Sequence, residues 1–282
     1  MDYSYAEYNG ADTVLVDIKN FNLNDTLNCG QAFRWNASGV SGDVYRGVAY
    51  GRQLELCLEG SNIILKNVTL SEFESVWKNY FGLGYNYGEL KERFSQDKNL
   101  QKALAFSPGI RVMHQDLWET LVTFIISQNN NIPRIKGIVQ KLCEHFGKPL
   151  SCNGFTFPAP DVIASLTAED LAPIRSGYRA GYIIDAARLV AGAELRLDEL
   201  NKLSSEGAHL QLMRIKGVGP KVAECVLLYG LGRVERYPLD VWMKRVMTKL
   251  YPKGFPEGLR DVAGIAQQFL FHYARAGQGE IH

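Results

Sequence analysis

Lys221 and Asp240 stand nineteen residues apart in LMRIKGVGPKVAECVLLYGLGRVERYPLD, and as residue types they make a nucleophile and its electrostatic partner. Lys221 follows Gly217-Val218-Gly219-Pro220, at the mouth of a helix. The positive end of the helix dipole disfavours an ammonium there, and a neutral amine is a nucleophile. The glycines let backbone approach a ligand without a Cβ in the way, and the amides that open the helix suit a phosphate. A nucleic-acid backbone is the natural guest.

The elements that must carry these residues follow from spacing. Leu212 and Ile215 are apolar at helical intervals, Gly217-Val218-Gly219 breaks the helix, and Pro220 suits the start of the next one. The pattern is helix, hairpin, helix over about residues 203–231. The second helix, from about Lys221 to Leu231, is ~16 Å long at ~1.5 Å per residue. The loop 232–240 can return over it, since eight residues from Gly232 to Leu239 extend to ~26 Å at ~3.3 Å per residue. Asp240 precedes Val241, Val246 and Leu250, which places it as the N-cap of a third helix whose start lies beside Lys221.

Further upstream, Val44–Tyr50, Gln53–Leu58 and Asn62–Lys66 are short apolar or alternating runs separated by glycine-containing breaks, as in an antiparallel meander. Helices follow. Ile132, Ile135, Val139, Leu142 and Phe146 share one helical face ended by Gly147, Tyr182–Leu195 repeats the pattern, and residues 147–160 form a loop. Between Gln211 and Lys253 there are nine Lys or Arg against three acids, a net charge of +6 in a chain of net +1, which leaves −5 elsewhere. This asymmetry is the expected footprint of a phosphate-binding face. The cysteines at 29, 57, 143, 152 and 225 show no CxxC and no metal-ligand spacing. They fit a reducing compartment better than a disulfide framework, and no apolar run reaches the ~20 residues of a membrane span. Residues 1–4 lack the basic and apolar regions of a secretory leader, so an intracellular location is expected.

The stretch 212–246, and KGVGPKVAEC…YPLDVWM within it, resembles the helix-hairpin-helix DNA glycosylases with a Gly/Pro-rich loop and a catalytic aspartate, and among them the 8-oxoguanine DNA glycosylase family. Asn28-Cys29-Gly30-Gln31-Ala32-Phe33-Arg34-Trp35, Ile126–Ile132 and Gly177-Tyr178-Arg179-Ala180 are similar to three further signatures of that family. The resemblance implies an α+β fold: an N-terminal antiparallel, TATA-binding-protein-like sheet with helices over 1–98, then a two-lobed helical glycosylase domain over 99–282. It implies duplex DNA containing 8-oxoguanine as partner, no cofactor, and a monomeric base excision repair enzyme with AP lyase activity that acts in the cytoplasm or nucleoid of a prokaryote or the nucleus of a eukaryote. Because no CxxC follows Cys225, the iron–sulfur cluster of the endonuclease III branch is not expected.

Residue by residue, the resemblance makes Lys221 and Asp240 catalytic. Gly30, Cys225, Gln267 and Phe271 become the pocket for the flipped base, the Gly30 carbonyl accepting the N7–H proton that 8-oxoguanine has and guanine lacks. Asn129, Arg134 and Arg179 would read the opposite base, with Tyr178 as a wedge. Lys216, Gly217, Gly219, Trp242 and Lys244 would meet the DNA backbone. Trp242 departs from the pattern, since eukaryotic members carry His there. Two alternatives stay open: a glycosylase for another oxidised or alkylated base, which Lys221 disfavours because alkyl-base members generally lack it, and a non-catalytic DNA-binding helix-hairpin-helix protein.

Overall fold

The computed structural model describes residues 1–38, 42–151 and 154–277, and Cys152 lies outside them. Strands β1 (Tyr5–Tyr8), β2 (Thr13–Val16), β3 (Trp35–Ser38), β4 (Val44–Ala49), β5 (Arg52–Glu59) and β6 (Asn62–Leu65) form one sheet in the order β1-β2-β6-β5-β4-β3. The pairings β1–β2, β2–β6, β5–β6 and β3–β4 are antiparallel, with Leu15 opposite Ile63 and Leu56 opposite Leu65. The three alternating runs of the sequence correspond to β4, β5 and β6. The sequence pattern did not mark β1, β2 or β3. Each has only four residues, too few to establish a period of two, and most of β1 is exposed.

The helices that carry or back the site are, in chain order, α1 (Leu23–Asn28), α2 (Tyr87–Phe94), α3 (Lys98–Phe106), α4 (Leu117–Ser127), α5 (Ile132–Phe146), α6 (Arg179–Ala191), α7 (Ser205–Leu212), α8 (Pro220–Gly230), α9 (Val241–Leu250) and α10 (Ala263–Arg275). α5 begins and ends where its sequence predicts: Asn131 accepts a hydrogen bond from the Arg134 amide at 3.0 Å, and Gly147 closes it. α6 starts at Arg179 and stops at Ala191, earlier at both ends than its periodicity predicts. Leu195 is buried from the following segment and extends the apolar spacing without belonging to the helix. No helix among the described residues is long and apolar enough to cross a membrane.

Contacts group the chain into two compact units. The first comprises 1–47, 54–114 and 234–282, and the second 48–53 and 115–233. Both are built from separate stretches of chain.

The first unit holds β1, β2, β3, β6 and most of β4 and β5, with α1 to α3, α9 and α10. Its centre is aromatic: Trp35, Trp77, Tyr80 and Phe81 are buried together, and the Trp35 indole donates to the Tyr80 hydroxyl at 2.8 Å. Arg111 is fully buried nearby. Its guanidinium pairs with Asp2 at 2.7 Å, donates to the carbonyls of Phe81, Gly82 and Tyr85, and lies 4.1 Å from the Tyr87 ring centroid. A buried charge is tolerable only when paired and hydrogen-bonded in this way.

In the second unit α4 is apolar nearly all round and packs against α8. Leu117 and Thr120 stand within 3.5 Å of where a side chain on Gly230 would begin, and the Phe124 and Tyr229 rings stack with centroids 5.3 Å apart. α8 buries Val222, Ala223, Cys225 and Val226 through Tyr229. Each large apolar side chain so buried contributes about 1.5–3 kcal/mol, which fixes the helix that carries Lys221.

Candidate active site

The hairpin before α8 is closed by the backbone: the Ile215 amide donates to the Leu212 carbonyl and the Val218 amide to that of Ile215. The two hairpin glycines serve different needs. Gly217 has φ +84, and a Cβ on it would stand 2.3 Å from the Tyr182 ring, so the fold itself requires glycine. Gly219 has φ −96, and a Cβ there would meet nothing within 4 Å. Packing does not demand Gly219, which leaves open space in front of a helix that has no side-chain cap and begins with Pro220. Asp185 on α6 steadies the turn by accepting the Lys216 amide at 3.2 Å.

Lys221 is the second residue of α8 and is half-buried. Its Nζ lies 5.1 Å from the Phe124 ring centroid and 3.4 Å from the Ser127 hydroxyl, both on α4. An aromatic face and one hydroxyl thus set the direction of the amine. Cys225, one turn further on the same face of α8, is 2% exposed.

Four other expected residues gather in the same unit. Asn129 takes a left-handed backbone, φ +46, just after α4. Arg179, only 3% exposed at the start of α6, holds that turn: its guanidinium donates to the carbonyls of Gln128, Asn129 and Ser176 and lies 4.5 Å from the Tyr178 ring. Arg134 is exposed in the first turn of α5, and Tyr178 is 59% exposed.

In the first unit, α10 carries Gln267 and Phe271 one turn apart. Gln267 is 3% exposed, yet its buried Oε1 has no hydrogen-bond partner, an arrangement that costs free energy unless a ligand supplies the donor. The segment that ends at Gly30 is pinned from the same helix. Gln268 donates to the Cys29 carbonyl at 3.2 Å, and Arg275 to the Asn28 carbonyl at 3.2 Å. Gly30 has φ +92, a conformation glycine takes without strain and one that sets the direction of its carbonyl. Gln31 is scaffold: its amide group donates to the Thr26 and Arg111 carbonyls and accepts from the Met113 amide.

Asp240 caps α9 as its sequence predicts, accepting the Met243 amide at 2.8 Å through Oδ1. Trp242 follows, with the Arg245 guanidinium 5.1 Å from its ring, and Lys244 is exposed. Arg233, counted among the basic residues of the stretch, instead holds the carbonyls of Asn201 and Leu203.

A helix-hairpin-helix lysine and a capping aspartate beyond the return loop occur here in one chain with the six-stranded sheet. Residues 13–121 match the model of the 8-oxoguanine DNA glycosylase N-terminal domain, and residues 122–254 that of the HhH-GPD superfamily of base excision DNA repair proteins. The chain belongs to the 8-oxoguanine DNA glycosylase family. Its fold matches the structure of MBOgg1 in complex with a low-affinity DNA ligand at TM-score 0.91 and 42% identity, over 98% of this chain and 99% of that one. The Clostridium acetobutylicum 8-oxoguanine glycosylase/lyase, solved with duplex DNA containing cytosine opposite 8-oxoguanine, matches at TM-score 0.91 and 34% identity over 98% and 99% of the two chains. A probable N-glycosylase/DNA lyase of Methanothermobacter thermautotrophicus is 32% identical over 64% of this chain and 69% of that protein.

Several residues around this glycosylase site carried no individual role in the sequence expectations. Phe124 and Ser127 flank Lys221 from another helix; Ser127 lies within the Ile126–Ile132 signature and Phe124 two residues before it, with no role attached to either. Asp185 and Tyr182 support the hairpin from α6 without any local signal. Gln268 and Arg275 were legible only in part, as neighbours at one and four residues of the expected pocket residues Gln267 and Phe271.

Proposed function

We propose that this chain is a bifunctional DNA glycosylase that excises 8-oxoguanine from duplex DNA and then nicks the strand. The observation that carries the reading is Lys221, an amine held by Phe124 and Ser127 at the start of α8, a helix with open space at Gly219 in front of its first amides. Flipping the nucleotide costs a few kcal/mol and exposes the bond to the base. Nζ attacks the sugar C1′, the C1′–N9 bond breaks, and the departing base takes the bonding pair and a proton. The Asp240 carboxylate stabilises the positive charge on the sugar as that bond breaks. The attacking nitrogen gives up the proton that the base takes, its lone pair then breaks the C1′–O4′ bond, O4′ takes up a proton from water, and the opened sugar is left as a protonated Schiff base. Abstraction of a C2′ proton then expels the 3′ phosphate, and hydrolysis frees the lysine.

The pocket is assigned by the same reading. The Gly30 carbonyl accepts N7–H of 8-oxoguanine, the Gln267 amide, whose Oε1 has no partner, bonds its Watson–Crick edge, and Phe271 and Cys225 sandwich its ring. Asn129, Tyr178, Arg134 and Arg179 fill the gap and read the opposite cytosine, whose O2 and N3 accept from both guanidinia. Lys216, Gly217, Gly219, Trp242 and Lys244 hold the backbone. The enzyme works as a monomer inside the cell without a cofactor, with a sheet-bearing domain over 1–98 and the glycosylase domain over 99–282.

Borohydride reduction during the reaction with an 8-oxoguanine:cytosine duplex tests the covalent step. The wild type should give a protein–DNA adduct, and Lys221→Gln should give neither adduct nor nick while still binding the lesion duplex. A normal adduct yield from the variant would overturn the assignment.

A further inference from the structure

Arg275 ends α10 one turn beyond Phe271 and makes two contacts that converge on the proposed lesion pocket. Its Nη2–H donates to the Asn28 carbonyl at 3.2 Å, and its guanidinium carbon stands 5.7 Å from the Phe271 ring centroid. Gln268, seven residues earlier, holds the next carbonyl, that of Cys29, at 3.2 Å. One helix therefore fixes both peptide groups that lead into Gly30 and carries the ring on which a base would stack.

We propose that Arg275 is a positioning residue of the lesion pocket, tying the Phe271 ring to the Asn28–Gly30 segment so that the stacking face and the Gly30 carbonyl keep one mutual geometry. The proposal rests on the pocket assignment above. Its physical reason lies in how little separates lesion from guanine. One N–H proton is read by one carbonyl, and the worth of a hydrogen bond falls steeply as its angle departs from linear. If the peptide planes at 28–30 rotate, the base still stacks but the proton is no longer read. A guanidinium is suited to the task, since its planar fork holds a carbonyl and an aromatic ring together in a fixed relation. Neither Gly30 nor Phe271 can supply this alone, because Gly30 has no side chain and the Phe271 ring is apolar.

The test compares the wild type with Arg275→Met, Arg275→Lys, Phe271→Ala and the Arg275→Met/Phe271→Ala double variant. Binding and single-turnover excision are measured on duplexes with 8-oxoguanine or guanine opposite cytosine, below the melting temperature of every variant. Arg275→Met should lower the 8-oxoguanine over guanine preference by about tenfold, the scale of one lost charge-assisted hydrogen bond. Its affinity for the guanine duplex should stay at the wild-type level, which a general loss of fold would not allow. Arg275→Lys keeps the charge and a donor but not the plane, and should fall between the two. In the Phe271→Ala background the Arg275 substitution should cost less than it does alone. Wild-type preference in Arg275→Met, or an equal loss on both duplexes, overturns the role of Arg275 and leaves the pocket standing. If Arg275→Met does not fold, wild-type preference in Arg275→Lys together with strict additivity of Arg275→Lys and Phe271→Ala overturns it. Unchanged preference in Phe271→Ala overturns the pocket assignment and this proposal with it.

Discussion

At the scale of single residues, Asp240 and Arg179 both hold local structure and, on the proposed reading, also act on DNA. Asp240 caps α9 through Oδ1, a task asparagine performs nearly as well. Asp240→Asn should therefore keep its melting temperature within a few degrees while excision falls by ~10²–10³, the scale of one lost electrostatic stabiliser of a transition state. Thermal melts and single-turnover rates on one preparation decide it, and wild-type rates would leave Asp240 a cap. The two arginines assigned to the opposite base differ in a way their sequence does not reveal. Arg134 is exposed, whereas Arg179 is 3% exposed and bound to three backbone carbonyls. Both alanine variants should show a reduced preference for cytosine over adenine opposite the lesion. Only Arg179→Ala should also lose stability, by about 1.5–3 kcal/mol, since it strands buried carbonyls that a charged donor satisfied. Denaturant titration of the pair would show equal stabilities if the buried contacts contributed nothing.

At the scale of elements, the hairpin and α8 form one device in which the two glycines are not interchangeable. Gly217→Ala combines φ +84 with a collision against Tyr182, so it should destabilise the protein by about 2 kcal/mol or more. Gly219→Ala meets open space at an ordinary φ and should cost about 0.5–1 kcal/mol, as Ala is a poorer N-cap than Gly. Its effect on DNA should be larger, because the new methyl stands in front of the amides that receive the phosphate. The expected result is weaker binding to lesion and undamaged duplex alike, measured by anisotropy across a salt series. Unimpaired binding in Gly219→Ala would place the phosphate elsewhere. The α10 helix is a second device of this kind, joining Gln267, Phe271 and the two side chains that pin the Gly30 segment.

At the scale of the molecule, acid should act in two stages, the first through half-buried histidines and the second through paired carboxylates. Burial, reinforced by the Arg275 cation, pushes His272 down from 6.5 to about 4. The unfolded chain takes that proton first, so the contribution of neutral His272 is complete above pH 6.5 and declines as the pH falls toward 4. Asp2 is opposite in cause: burial pushes its carboxyl up, but hydrogen bonds from Arg111, Asn20 and the Tyr87 amide outweigh this and hold it below 3.8. Its contribution is present above that value and is lost as the pH falls through the lower folded value. Urea midpoints from pH 8 to 3 should show both declines. His272→Gln should shrink the first decline, to which His114, also pushed down by burial, contributes, and Asp2→Ala should cost about 3–5 kcal/mol at neutral pH by leaving Arg111 buried and unpaired. A flat midpoint between pH 6.5 and 4 would contradict the assignment to His272.

What the sequence determined by itself was local in origin. Gly217, Pro220 and Asp240 fix a turn, a helix start and a cap through backbone conformation and nearest amides, and the apolar spacing of α5 fixes its length; these are physical facts of a few adjacent residues. The order of the signatures placed Lys221, Gly30 and Gln267 in one family pattern. Only the tertiary structure decided what crosses the chain: that Phe124 and Ser127 hold the Lys221 amine, that Arg179 is engaged with backbone, and that α10 returns to clamp residues 28–30. Contacts between residues nearly two hundred and fifty positions apart, such as Arg275 and Asn28, leave no periodic trace, because they are set by how whole helices and sheets pack, not by the conformational preference of any short segment.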